Sequence, residues 1–389
     1  MKRVGLILAN PITNYGAHLQ AFATQYAIDQ LGVSTVVIDT SKIKDDNYII
    51  DIGFFSYAIK RLVHRFTLKN NNVTYDDAFR ENVRLRTIAA ANFRARMLHD
   101  EVSYKTYKDL IEAASGFNAI IIGSDQMWLP GSSFSPINSL QFVPKGVRRL
   151  SYATSLGVSK YPRSCWKSAR KMWLNMDAIS VREQQGADII REVCDNTAEV
   201  KVVLDPTYLL SKEQWENVMP FMPMTDEKYV FCYFLGNNER GKLCAQRYAR
   251  EHGVKLVSIL STESYDSIDR SFADQTLEAL SPEDFINWLR GAECVFTDSF
   301  HGLAFSVINH KQFFVFYRVR KDSMLSRNSR IDNILKLFDC VDRLVTNPDI
   351  DWNHYNVTSI DYDQVECIMS KERKASLYYL KNALGVNED

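Results

Sequence analysis

The 389 residues carry no net charge of either sign, with Lys plus Arg and Asp plus Glu at 47 each. A chain so balanced has no broad basic field to draw it onto nucleic acid, and any anion it binds must be held by local cations. The seven cysteines, at 165, 194, 232, 244, 294, 340 and 367, stand singly without a CxxC pair. That argues against a disulfide framework and a structural zinc site, and it fits a reducing cytoplasm. No run of about 18 apolar residues occurs, so no membrane-spanning helix is expected. The charged start MKR is followed by an apolar run that stops at Asn10, which reads as a first strand rather than a signal segment. A GxGxxG phosphate fingerprint is absent, which weakens a dinucleotide reading. With no histidine pair four residues apart and no carboxylate-rich loop, neither a metal nor another cofactor is expected.

What the chain does have is 46% hydrophobic and 24% charged residues, enough for two ordinary cores. Apolar runs at 4–9, 33–39, 118–122, 150–153, 178–181 and 200–204 alternate with helical stretches. A second alternation follows, with strands at 229–234, 255–260, 294–297 and 313–317 and helices at 240–252 and 282–291. Alternation of this kind predicts an α/β fold with parallel sheets whose loops gather at the carboxyl edges. Between the two series lies MPFMPMTDEK, with no apolar periodicity. The expected division is therefore residues 1–218, a linker at 219–228, and residues 229–389. The last helix, at about 363–384, either packs back on the first half or caps the second. Residues 54–69, FFSYAIKRLVHRFTLK, form an aromatic and basic stretch that either packs on its own domain or lies on an acidic membrane surface.

Three clusters stand out. In VFTDSFHGLAF, residues 295–305, an apolar strand delivers Asp298, Ser299 and His301 to the start of an apolar helix, where backbone N–H groups and the helix dipole favour an anion. Ser299 or Asp298 is the expected N-cap; spacing alone leaves His301 open between a core residue and a catalyst. Downstream, Arg318, Arg320, Lys321, Arg327 and Arg330 fall in a short window, either a solvated basic loop or a clamp for phosphate or carboxylate. After the strand AIII comes GSDQMW, where Gly123 permits a tight exit, Asp125 and Gln126 suit hydroxyls, and Trp128 is either a stacking face or a core residue.

The ordered set NYGAHLQ (14–20), FNAIIIGSDQMW (117–128), SYATSLG (151–157), ISVREQQG (179–186), LDPTYLL (204–210) and TDSFHGLAFSV (297–307) resembles the polysaccharide pyruvyl transferase family. The resemblance implies two Rossmann-like domains facing a cleft, similar to the GT-B glycosyltransferase architecture. It also implies transfer of pyruvate from phosphoenolpyruvate onto two hydroxyls of one sugar, giving a cyclic ketal in surface polysaccharide biosynthesis.

On that reading the donor sits in the second half, held by Arg182, Ser299, Arg327 and Arg330, with His301 as acid or phosphate stabiliser and Asp298 either orienting it or capping the helix. The acceptor sugar sits on the first half, with Asp125 as base, Asn14, Gln20 and Gln126 as hydroxyl ligands and Trp128 as platform. Asp205 is left as a turn residue at its Asp-Pro step. The expected setting is cytoplasmic and peripheral at the inner membrane face, where 54–69 would meet a lipid-linked oligosaccharide. A nucleotide-sugar-dependent glycosyltransferase of the same architecture is the alternative, and a non-catalytic sugar-binding protein a more distant one.

Overall fold

A computed structural model describes residues 1–10, 13–43, 76–130, 135–263, 267–318, 328–347, 352 and 359–386. The stretch 54–69, together with Arg320, Lys321 and Arg327, lies outside the described residues.

The apolar runs of the first half become β1 (Arg3–Ile7), β2 (Ser34–Asp39), β3 (Glu101–Ser103), β4 (Ala119–Ile122) and β5 (Arg148–Ser151), a parallel sheet in the order β3-β2-β1-β4-β5. The run expected at 150–153 begins two residues earlier and ends at Ser151, because Ala153 adopts a positive φ that breaks the strand. β6 (Ile179–Val181) and β7 (Val200–Val202) extend this layer through bridges from Leu150 to Ala178 and from Thr154 to Val181.

The second sheet repeats the plan with β8 (Tyr229–Tyr233), β9 (Lys255–Ile259), β10 (Gln275–Leu277), β11 (Cys294–Thr297) and β12 (Gln312–Val315), in the order β10-β9-β8-β11-β12. In each sheet the order reverses between the first and fourth strands, and the crevice above such a reversal is where open α/β sheets bind ligands.

The helices are α1 (Tyr15–Asp29), α2 (Asp77–Met97), α3 (Tyr107–Ala114), α4 (Trp166–Trp173), α5 (Gln184–Val193), α6 (Lys212–Val218), α7 (Glu239–His252), α8 (Pro282–Gly291), α9 (Phe300–Ile308), α10 (Ser329–Leu337) and α11 (Tyr362–Leu384). Nearly every residue of α1 is buried, as expected of a helix enclosed on all sides rather than amphipathic. One side meets the first sheet; the other meets the second half, where Tyr15 stacks on Phe285 with ring centroids 5.2 Å apart. The same seam carries Phe22 against Trp215 at 5.8 Å and Trp215 against Phe305 at 5.1 Å. The halves thus share one apolar core besides facing each other.

Trp215 is fully buried, and its indole N–H donates to the Thr207 carbonyl at 2.9 Å. Trp215→Ala is expected to cost about 3–5 kcal/mol, read as a lower urea midpoint at unchanged slope.

Residues 219–228 contain no helix or strand, and Met222 N–H donates to Asn287 Oδ1 at 3.3 Å. Helix α11 packs back on the first half. Its Ser376 hydroxyl accepts from Leu204 N–H at 3.0 Å, Arg373 Nε donates to the Tyr208 carbonyl at 2.7 Å, and Tyr379 OH donates to the Ser151 carbonyl at 2.9 Å.

Candidate active site

Arg182 leaves the carboxyl end of β6 with a 1% exposed side chain ringed by three carboxylates. Its Nη1 lies 2.6 Å from Asp205 Oδ2, its Nη2 3.1 Å from Asp125 Oδ1, and its Nε 3.2 Å from Glu183 Oε1. The Ser124 hydroxyl donates to the same Asp205 oxygen at 2.9 Å. Arg330, at the start of α10, brings a second guanidinium 3.8 Å from Asp125 Oδ1. Both cations lie over the Phe300 ring, at 4.3 and 5.7 Å from its centroid.

The charges are unevenly matched. Burial disfavours the Arg182 cation, but Asp205, Glu183 and Asp125 outweigh it and hold the group firmly protonated. Arg330 has burial and the Arg182 charge against it, which lower its pKa to about 9. Burial raises Asp125, yet Arg182, His301 and Arg330 overcome it and keep the carboxylate ionised below its usual range. An anion brought beside Arg330 would offset the Arg182 repulsion and burial that lower its pKa.

His301 enters from the second half, one residue into α9. Ser299 is the N-cap, its hydroxyl accepting from Gly302 N–H at 3.3 Å. His301 is 4% exposed, and its Nε2 is buried with no hydrogen-bond partner among the described residues. Burial lowers its pKa; Asp205 and Asp125 pull it up, Arg182 and Arg330 push it down, and the net result is a neutral-leaning ring. Asp298 neither orients it nor caps the helix. Its carboxylate instead accepts from the backbone N–H groups of Leu235 at 2.7 Å and Gly236 at 3.1 Å, tying down the loop after β8.

The first turn of α1 backs this histidine. A Cβ built on Gly16 would overlap the His301 ring, well inside contact distance, so only glycine lets the two elements approach. Gly16→Ala is expected to displace the imidazole and cut turnover at least tenfold. The accompanying overpacking cost is about 1–3 kcal/mol, and activity and melting assays on the same variant would check both.

The remaining expected site residues are dispersed. Asn14 caps α1, accepting from Ala17 N–H at 3.3 Å. Gln20 is fully buried and donates to Thr24 Oγ1 at 3.3 Å. Trp128 is a core residue rather than a platform, because it is fully buried, donates to the Asn138 carbonyl at 3.1 Å and packs edge-on against Trp173. Gln126 is half-buried in the turn after β4, and Arg327 lies outside the described residues.

Sequence reasoning missed Glu183, Ser124, Phe300 and the second role of Asp205. Asp205 does form the expected turn, accepting from Thr207 N–H at 3.1 Å, while its other oxygen holds Arg182. The signal was the placement of Glu183 and Phe300 directly beside Arg182 and His301 in their motifs. Arg182, Asp205 and Phe300 also line a pocket of about 340 Å³. Among the described residues no group of three or more His, Cys, Asp or Glu side chains is arranged to hold a metal ion, and no helix is long and apolar enough to cross a membrane.

The fold is similar to a UDP-N-acetylglucosamine 2-epimerase structure, at 10% identity and a TM-score of 0.50 over 100% of this chain and 97% of that one. It is also similar to the Neisseria meningitidis UDP-GlcNAc 2-epimerase bound to UDP-GlcNAc, at 10% identity and 0.46, covering 98% and 94%. An alpha-glucosyltransferase in complex with UDP-glucose and DNA matches at 9% and 0.46, covering 97% and 95%. These likenesses concern the GT-B-like fold alone. No curated protein matches significantly. The polysaccharide pyruvyl transferase profile, in contrast, matches residues 14–318, a span that carries Asp125, Arg182, Asp205 and His301. With the buried cluster drawn from those same blocks, the chain belongs to the polysaccharide pyruvyl transferase family.

Proposed function

We propose that this transferase moves pyruvate from phosphoenolpyruvate onto two hydroxyls of one sugar residue, forming a cyclic ketal during polysaccharide biosynthesis. The observation that carries the reading is the pair of buried guanidiniums, Arg182 and Arg330, beside the partnerless Nε2 of His301. Phosphoenolpyruvate carries a phosphate and a carboxylate, and a water-poor site with two cations at a helix start suits both.

The chemistry balances without a redox partner. The vinyl carbon accepts a proton, one sugar hydroxyl adds to the neighbouring carbon, the C–O bond to phosphate breaks, and the second hydroxyl adds in its place. Of the two hydroxyl protons, one ends on the new methyl group and one leaves with inorganic phosphate. His301 delivers the proton to carbon; a bound phosphate dianion offsets the burial and repulsion that keep the empty-site imidazole neutral. Asp125, ionised, serves as base toward the first hydroxyl. In this reading no metal or other cofactor takes part. The acceptor is a sugar, lipid-linked if residues 54–69 dock on the inner face of a membrane.

Phosphate release from phosphoenolpyruvate, measured with a panel of simple and lipid-linked glycosides, tests the reading. Acceptor-dependent release supports it. Absence of phosphoenolpyruvate binding, together with turnover of a nucleotide sugar, would replace it with the glycosyltransferase alternative.

A further inference from the structure

A groove of about 520 Å³ opens between the first turn of α5 and one face of α10. Its volume lies within the range of about 300–1,000 Å³ usual for small-molecule sites. Ser329, Asp332, Asn333 and Lys336 recur at three- and four-residue spacing and so form one hydrophilic face of α10. The opposite face, with Ile331, Ile334 and Leu335, is buried in the core. Across the gap stand Glu183, Gln184 and Gln185 of the first half. The groove is therefore built by both halves.

The groove leads to the cation cluster. Gln184, Asn333 and Lys336 also line the pocket that contains Arg182, Asp205 and Phe300. Glu183 reaches the groove and contacts Arg182 Nε, while Asn333 Nδ2 donates to the Arg182 carbonyl at 3.3 Å. A second polar cavity, near Asp39, Lys42 and Arg94 beyond the ends of β2 and β3, shares no residue with this cluster.

Hydrogen-bonding groups dominate the lining. Among the described residues it carries two carboxylates, Asp332 and the Glu183 already paired with Arg182, one ammonium, Lys336, and otherwise amides and hydroxyls. A neutral polyol would meet donors and acceptors along its length. Gln185 offers one such group: its Nε2 donates to the Ser159 carbonyl at 3.2 Å, and its Oε1 is buried without a hydrogen-bond partner among the described residues.

From this geometry we infer that the groove between α5 and α10 is the acceptor subsite and seats a neutral saccharide, with Gln184, Gln185 and Asn333 as its specificity-determining residues. The inference rests on the pyruvyl transfer proposed above. It moves the acceptor away from Trp128 and Gln20, which are buried in the core. Among the described residues no aromatic ring lines the groove, so the sugar is held through its hydroxyl edges.

The test is saturation-transfer NMR on the full chain with methyl glycosides of galactose, glucose, mannose and N-acetylglucosamine as probes. Wild type would be compared with Gln185→Trp and Ser329→Tyr, each of which fills the groove from a different half. Phosphoenolpyruvate binding is followed in parallel by calorimetry, with UDP as the anionic control. At least one glycoside should bind wild type and lose fivefold or more of its signal in both variants, with phosphoenolpyruvate affinity within twofold of wild type. Equal glycoside binding by wild type and variants, glycoside binding to none of them, or displacement of the glycoside by UDP would each overturn the inference. If glycoside binding depends on the groove but phosphoenolpyruvate does not bind, the groove stands and the donor assignment fails.

Discussion

His301→Ala is expected to lower turnover of phosphoenolpyruvate by about 10²–10⁴-fold, the usual contribution of a positioned proton donor. Phosphoenolpyruvate should still bind through Arg182 and Arg330, so the loss belongs in kcat rather than KM. A pH profile separates this role from a structural one. The imidazole is held below its ordinary range chiefly by burial, with Arg182 and Arg330 adding to that effect against the upward pull of Asp205 and Asp125. If the protonated ring is the active form, kcat/KM, which reports the free enzyme, should fall as pH rises through that lowered value. The fall in kcat, which reports the substrate complex, should come at higher pH because the bound phosphate stabilises imidazolium. Stability should move with the opposite sense. A histidine whose folded pKa is depressed binds fewer protons folded than unfolded, so its contribution is fully present above the unfolded value of about 6.5 and declines as pH falls below it. Coincident kcat and kcat/KM profiles, or a His301→Ala variant with wild-type turnover, would remove His301 from the chemistry.

Arg182→Met should be the most damaging single change to the fold of the site. The substitution leaves Asp125, Glu183 and Asp205 facing one another without the cation they share, and breaking a buried ion pair from one side typically costs about 3–5 kcal/mol. A urea titration reads that cost directly, and the same protein should no longer bind phosphoenolpyruvate. Arg182→Lys should rescue little, because one ammonium does not reproduce three separate contacts made by Nε, Nη1 and Nη2. The double change Arg182→Met with Asp205→Asn should recover part of the stability and none of the binding. Full stability in Arg182→Met would show that the carboxylates relax by taking up protons, and that the network is softer than its geometry suggests.

The fold was readable where local signals were strong. Continuous apolar runs separated by helical stretches marked most strands of both sheets, and residues 219–228, where that periodicity is lost, contain no helix or strand. Of the four three-residue strands, β6 and β7 stood in apolar runs, whereas β3 and β10, with only Val102 and Leu277 as apolar residues, left no comparable trace. Within the buried cluster, His301 and Arg330 stood out beside anion-binding signals, Asp125 as a hydroxyl-binding residue after a strand, and Arg182 only through the family resemblance. Trp128 and Gln20 were misplaced for a common reason. A polar or amphipathic side chain beside a turn reads the same whether it faces a ligand or a core, and burial from distant elements decides between them. Asp205 was undervalued because its turn role is local and visible in the Asp-Pro step, while its bond to Arg182 spans 23 residues of chain.

The return of α11 to the first half also governs how the two halves can move. The polypeptide passes between them twice, once through 219–228 and again along α11, whose Glu366 meets His310 of the second half at 2.9 Å and whose end meets Lys2, the Nζ of which donates to the Leu384 carbonyl at 3.0 Å. A single tether would permit swivel and twist in any direction; two passages restrict both. Parting the halves would also bring the buried, stacked rings of Tyr15 and Phe285 into water. Movement of one half against the other changes the width of the groove between α5 and α10, while Arg182 and its three carboxylates, all carried by the first half, travel as one piece.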